Sequence, residues 1–415
     1  MTTEPPGPLH GVRVLDFSRV LAGPHCTRML HDLGAEVLKV EPPGGDLTRF
    51  SFPRNHGMAT YFAQQNAGKR NLSIDLSTPR GVELARELAD HCDVLVENYR
   101  PGVLARMGLG PDEVRARNPR LVYVSISGYG ATGPWVHRRA YAPVVGAEAG
   151  ITKSQGDARG AAYANDPHSH ADVYTGMEAA AAILAALYGR EQTGTGQWID
   201  VSMAETLLYV NEHLHDQLYD GPVDPTWIRS FGNGDYLVFT VASGERVVVS
   251  GHPAEKGTFD LFVAALGLEQ LRDDPRFVDV PTRLAHFEEL RALMLDAAIT
   301  IPDAARFEET FAEHRLASGV LRDARELAET EWAAARGAIA EVSDRAGGRI
   351  RIPNPPWHFS DGATGVRGDP RYRGEDNRAV LTELLGYDDE AVDALEADGV
   401  LSSRVPPTTP PSSGA

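Results

Sequence analysis

Cysteine is scarce. Cys26 and Cys92 are the only two in 415 residues. That excludes a disulfide framework and predicts a reducing, cytoplasmic setting. Long apolar runs are missing as well. Nothing approaches the ~18 uninterrupted apolar residues that cross a bilayer, so no membrane partner is expected. The longest run, Met177 to Tyr188, contains Glu178 and reads as a buried, Ala-rich helix. The opening residues MTTEPPGPLHG lack the basic and apolar regions of a secretory signal. Positive charge is in deficit, with 40 Lys+Arg against 58 Asp+Glu and a formal net charge of −18. This argues against nucleic acid as a partner, because binding it takes a basic surface that displaces counterions. The same field repels any phosphate-bearing ligand, which would need a local basic patch. No internal repeat of ~20–50 residues is present.

What is present is an alternation of short β-branched runs and helical segments. GVRVLDF (11–17) reads as a strand, 24–33 as a helix closed by Gly34, and AEVLKVE (35–41) as a second strand. LSIDL (72–76) is strand-like, Thr78-Pro79 opens a helix through 83–91, and CDVLVEN (92–98) is another buried strand. PDEVRARN (111–118) is a short helix with proline in its first turn, and RLVYVSISG (120–128) a further strand. A helix covers 172–190, WIDVSM (198–203) is a strand, and a helix runs over about 204–218. Apolar strands alternating with helices predict an α/β fold with a doubly wound, mostly parallel, Rossmann-like sheet. The Pro/Gly-rich stretch 219–234 marks a boundary; strands at 235–241 and 246–250 and helices to about 315 predict a smaller α+β domain. The boundaries follow: a tail at 1–10, a large domain at 11–222, a small domain at 223–330, a C-terminal segment at 331–401 and a disordered tail at 402–415.

Several motifs invite a function. GYGATG (128–133) matches G-x-G-x-x-G, but Pro134 to Arg139 shows no helical periodicity, which a dinucleotide fingerprint requires. Its glycines fit a turn or a close backbone approach better. Asp166, His168, His170 and Asp172 alternate and would share one side of an extended segment, as metal ligands can. No further His/Asp pair completes such a set, so no metal site is predicted. Cys26 lies near a helix start, which lowers a thiol pKa, and Cys92 opens an apolar strand; both fit small buried hydrophobes. Lys69, Arg70, Arg100, Arg106, Arg138 and Arg139 sit in loops or helix starts around the predicted strands, a candidate phosphate cradle or an exposed basic scatter. Asp172 immediately precedes the 173–190 helix pattern. It reads equally as a helix cap or as a nucleophile.

Taken together, these segments resemble the family III CoA-transferases, the CaiB/BaiF family. The likeness runs through residues 15–46, 66–81, 96–110 and 118–134, and is strongest over ADVYTGMEAAAAILAALYGREQTGTGQWIDVSMAE (171–205). It continues at 335–342, 353–357 and 384–400. The resemblance implies that Asp172, opening D-x-x-T-G, is the nucleophile, and that the large domain binds CoA. The CoA contacts it implies are Leu21, Ala22, Ile74, Leu76, Asn98, Tyr99, Arg100, Arg106, Arg139, Tyr141 and Ala142. It further implies acyl-CoA and a free carboxylic acid as substrates, no tightly bound cofactor, and an interlocked homodimer whose C-terminal segment returns to the large domain. An Asp at its ordinary pKa of ~3.9 would be fully ionised at neutral pH and need no base. Two departures stand out. Pro42 follows Glu41 where many members carry a basic residue, and FGNGD (231–235) is shorter than the glycine run that closes the oxalate-linked enzymes. An α-methylacyl-CoA racemase is the second reading, with Tyr141 near where relatives carry a histidine and His168 or His170 as substitutes. A non-catalytic CoA-binding protein is a third. His31, His56, His137, Trp227 and Arg229 are candidates for the acyl pocket.

Overall fold

The computed structural model describes residues 6–222 and 236–405. Trp227, Arg229, FGNGD (231–235) and residues 406–415 lie outside the described residues. Six strands form one parallel sheet: β1 (Arg13–Asp16), β2 (Glu36–Glu41), β3 (Arg70–Ser73), β4 (Val94–Glu97), β5 (Val122–Ser127) and β6 (Trp198–Ser202). Their spatial order is β3-β2-β1-β4-β5-β6, every neighbouring pair parallel. The order reverses between β1 and β4, which is the doubly wound pattern.

Side-chain alternation splits the apolar residues between two faces. Leu15, Leu38, Leu95 and Tyr123 share one register line and pack with Leu84 and Leu88 of α2 (Pro79–Asp90) and with Val380, Leu381 and Val392. Val14, Val37, Val94 and Val122 line the other face, under Leu30 of α1 (Ala22–Asp32) and Ile183 of α3 (His170–Thr193). Burial on both faces explains why these strands read as continuous apolar runs. Helix ends follow local chemistry. Thr78 caps α2 by accepting the Gly81 N–H, with Pro79 in the first turn. Gly194 closes α3 at φ +75°.

The described residues divide into two compact units: residues up to 157, 161–214 and from 332 onward form one, and 158–160 with 215–331 the other. The second unit has a three-stranded antiparallel sheet (Val238–Thr240, Arg246–Val249, Ser318–Val320) around Phe239, Phe262, Phe307 and Phe311. Its third strand was not foreseen, since Ser-Gly-Val is too short to show alternation.

Five expectations are corrected. LSIDL stops as a strand at Ser73, because the Asp75 side chain accepts the Ser77 N–H and starts a turn. The 204–218 helix is two, Met203–Tyr209 and Leu214–Gln217, parted where the Asn211 side chain accepts the His213 N–H. α3 begins at His170 with Ser169 as its N-cap residue, so Asp172 is inside the first turn and not the cap. Residues 6–10 are no loose tail: Gly7 is buried and the Leu9 N–H bonds to the Leu33 carbonyl at 2.9 Å. The predicted 402–415 tail starts anchored, with the Ser402 N–H on the Ser73 carbonyl (3.2 Å) and the Arg404 N–H on that of Arg373 (2.8 Å).

Candidate active site at the carboxyl edge of the sheet

A cleft of about 380 Å³ opens at the carboxyl ends of the strands, at the reversal between β1 and β4. Its walls come from the loop after β1 (Arg19, Val20, Leu21, Ala22), the loop after β4 (Asn98, Tyr99, Arg100) and the end of β5 (Ser127, Gly128). Residues 138–143 and the start of α3, with Ser169 and Asp172, complete it; Leu47 and Tyr61 add a further wall. Asn98 stitches the first two loops together: its Oδ1 accepts the Arg19 N–H (2.9 Å) and its Nδ2 donates to the Arg19 carbonyl (2.8 Å). The Arg19 guanidinium lies 4.8 Å from the Tyr99 ring centre. A side chain at Gly128 would strike the Ala140 Cβ at 2.0 Å. That glycine therefore lets the 138–142 segment close on β5 and bring Arg139 and Tyr141 to the cleft. No helix follows GYGATG until Ala142–Glu148.

Asp172 is mostly buried, and desolvation pushes its carboxyl up to about 6. The Ala22 backbone N–H, at the start of α1, faces the carboxylate and offsets part of that shift. This corrects the expectation of an ordinary carboxylate. At pH 7 Asp172 is still roughly nine-tenths ionised, and it is destabilised relative to an aspartate in water. Burial, followed by the charges of Asp172 and Asp46, pushes the Tyr61 hydroxyl up to about 12. Tyr61 is therefore a protonated donor in the same cleft.

Leu21, Ala22, Asn98, Tyr99, Arg100, Arg139, Tyr141 and Ala142 all line the cleft with Asp172. Ile74, Leu76 and Arg106 do not. The Ile74 side chain is in the core and its backbone bridges to Leu401; Leu76 packs on the same core; Arg106 is exposed at the end of the short 103–106 helix. The basic cradle is only half present. Lys69 is buried against Asp16 (3.2 Å) and Arg70 is taken by Glu36 and Glu383. Arg138 lines the cleft but pairs with Glu148 and stacks on Trp135.

The remaining candidates go elsewhere. His170 bonds Asp166 and stacks on Tyr174. The helix start at His170 breaks the extended alternation that would have aligned the four His/Asp side chains. His31 bonds the Arg367 carbonyl (3.0 Å) and His56 pairs with Asp344; neither they nor His137 line the cleft. Cys26 and Cys92 are buried, and desolvation raises both thiols, against the helix-start effect expected at Cys26.

Sequence reasoning missed Arg19, which directly follows β1 and obeys the strand-end rule already in use. It also missed Leu47 and Tyr61, which no local pattern marks. Arg373, outside the cleft lining, donates to the Ser73 (2.8 Å) and Ser402 (2.5 Å) hydroxyls at the carboxyl end of β3.

The model of CoA-transferase family III matches residues 9–377. The chain belongs to CoA-transferase family III. It is 33% identical to the mouse succinyl-CoA:glutarate CoA-transferase over 405 residues, covering 96% of this chain and 91% of the relative. An acyl-CoA transferase of Fusarium pseudograminearum is 35% identical over 417 residues, covering 95% and 88%. The crystal structure of a CaiB/BaiF family protein from Brucella suis superposes with a TM-score of 0.79 at 29% identity, over 91% of this chain and all of that one. Among the described residues no helix is long and apolar enough to cross a membrane.

Proposed function

We propose that this transferase moves CoA from an acyl-CoA to a free carboxylic acid through covalent intermediates on Asp172. One observation carries the reading: a mostly buried carboxylate, its pKa raised by desolvation, opens a long helix inside the cleft where the sheet reverses. A raised pKa makes the carboxylate more basic and a better nucleophile while leaving it ionised. An Asp172 oxygen attacks the thioester carbonyl, the C–S bond breaks, and CoA thiolate leaves behind an acyl-aspartyl anhydride. The thiolate then attacks the Asp172 carbonyl, expelling the donor carboxylate and forming an aspartyl-CoA thioester. An acceptor carboxylate reverses the sequence and departs as its CoA thioester. No electrons are gained or lost, and the scheme needs no metal or tightly bound cofactor. The Tyr61 hydroxyl and the N–H groups at the starts of α1 and α3 are the donors for the oxyanions. Arg19, Arg100 and Arg139 supply the local positive charge that the phosphates require.

The names of the relatives point to small acids as acceptors, glutarate and oxalate among them. The racemase reading has less support, because among the described residues no histidine lines the cleft, and His168 and His170 line a small neighbouring cavity instead. A homodimer is supported by Met177, Leu184 and Tyr188, exposed along one side of the Ala-rich middle of α3. A reducing, cytoplasmic setting rests on the two buried free thiols. The test is a mass-spectrometric screen of acyl-CoA and free-acid pairs in deuterated buffer. CoA exchange without deuterium at the α-carbon is expected; α-deuteration without CoA exchange would overturn the assignment.

A further inference from the structure

The loop between β1 and α1 is held in an unfavourable shape by charges that never reach the cleft. Val20 sits at φ +70°, a region that β-branched residues avoid. Such a conformation persists only where the surroundings over-determine it. Here they do. Lys39 and Asp46 are fully buried and paired at 3.1 Å. The Asp46 carboxylate accepts the Val20 N–H at 3.3–3.4 Å, and the Lys39 ammonium donates to the Ser18 carbonyl at 2.9 Å. Asp16, held by Lys69 at 3.2 Å, accepts the Ser18 N–H at 2.9 Å. Gly23 permits the fold-back, since a side chain there would meet the Ser18 Cβ at 2.2 Å.

Two residues beyond Val20 lies Ala22, which lines the cleft with Asp172 and packs its carbonyl on the next turn of α3, where a Cβ at Gly176 would meet it at 2.6 Å. Buried ion pairs are weak devices for stability, because desolvation offsets much of their attraction. An uncharged turn could start α1 without strain at Val20. What the charged arrangement adds is a fixed direction for the loop.

We propose that the Lys39–Asp46 pair and the strained Val20 form a brace that sets the start of α1, and through its packing on α3 positions the Asp172 carboxylate for attack. Lys39 and Asp46 are then positioning residues, and the proposal rests on Asp172 being the nucleophile. A brace of this kind acts more on the chemical step than on CoA affinity, because misplacing a reacting group by ~1 Å slows reaction by about 100-fold, whereas the loop supplies only part of the CoA cleft.

The experiment uses the full-length protein and measures two things: the single-turnover rate of hydroxylamine-trappable adduct formation from an acyl-CoA, and the Kd for CoA. Asp46→Asn is expected to slow adduct formation by about 100-fold while the Kd for CoA weakens by less than about tenfold. Val20→Gly removes the strain and frees the loop. It is expected to keep or raise the thermal midpoint while slowing adduct formation by about tenfold. Should Asp46→Asn not fold, Val20→Gly alone decides. Adduct formation at the wild-type rate in a folded Val20→Gly or Asp46→Asn protein overturns the brace. Asp172→Ala is the control: if it still forms the adduct, the nucleophile assignment has failed and the brace falls with it. If it forms none while the two loop variants react normally, only the brace has failed.

Discussion

Asp16 and Asp172 flank the same loop, and both are largely withdrawn from water, yet their chemistry is opposite. Burial alone would raise the Asp16 carboxyl, but Lys69 and Lys39 with the Ser18 and Thr27 hydroxyls hold it below its ordinary value. Among the described residues Asp172 has no cation as partner; the nearby Ala22 N–H offsets only part of the penalty, and desolvation prevails. Burial sets the penalty and partners decide which protonation state bears it. The lattice around Asp16 is settled structure. Asp172 is left with unspent reactivity.

The largest effect that would break this contrast is on rate. Asp172→Ala is expected to lower CoA transfer on the order of 10³-fold or more in steady-state assays, with CoA still bound. Next in size is stability on the other side of the loop. Asp16→Ala leaves two lysines short of a buried partner and should lower the unfolding free energy by about 3–5 kcal/mol in urea melts. The sign of its pH dependence follows from a lowered carboxylate. The Asp16 contribution is present above about pH 4 and disappears as pH falls through its folded value.

Asp172 must behave in the reverse sense. Its native pKa, about 6, lies above the unfolded value of 3.8, so the buried carboxylate destabilises the fold increasingly as pH rises between those values. Asp172→Asn should accordingly stabilise the protein by about 2–3 kcal/mol at pH 7.5, and the gain should vanish near pH 4 in the same melts. Gly176→Ala probes the contact between the two helices: the added Cβ would meet the Ala22 carbonyl at 2.6 Å. A destabilisation of about 1–3 kcal/mol by calorimetry is expected. The smallest effect is the acid limb of the rate profile. Protonation of Asp172 should make kcat/KM fall below pH about 6, by roughly tenfold per pH unit.

The contrast was only half legible in the sequence. The sheet was readable because strands buried on both faces must be apolar throughout, as in Val94–Glu97 and Val122–Ser127. Strand ends were less so, because Asp75 and Asn211 redirect the chain through single side-chain hydrogen bonds. The Ser169-x-x-Asp172 spacing is a helix-start signature and was available, but Asp172 itself was weighed as the cap. Lys69 and Arg70 shared a motif with the phosphate-cradle candidates. Their pairing with Asp16, Glu36 and Glu383 depends on residues 34 to 313 positions away, which no local pattern encodes. Tyr61 was invisible for the same reason.

The central claim is that Asp172 carries the transferred group, and intact-protein and peptide mass spectrometry tests it most directly. After incubation with an acyl-CoA and rapid quenching, the account predicts an acyl or CoA adduct on the peptide containing Asp172, convertible to a hydroxamate by hydroxylamine and absent from Asp172→Asn. An adduct on another residue, or full turnover by Asp172→Asn with no adduct anywhere, would contradict it.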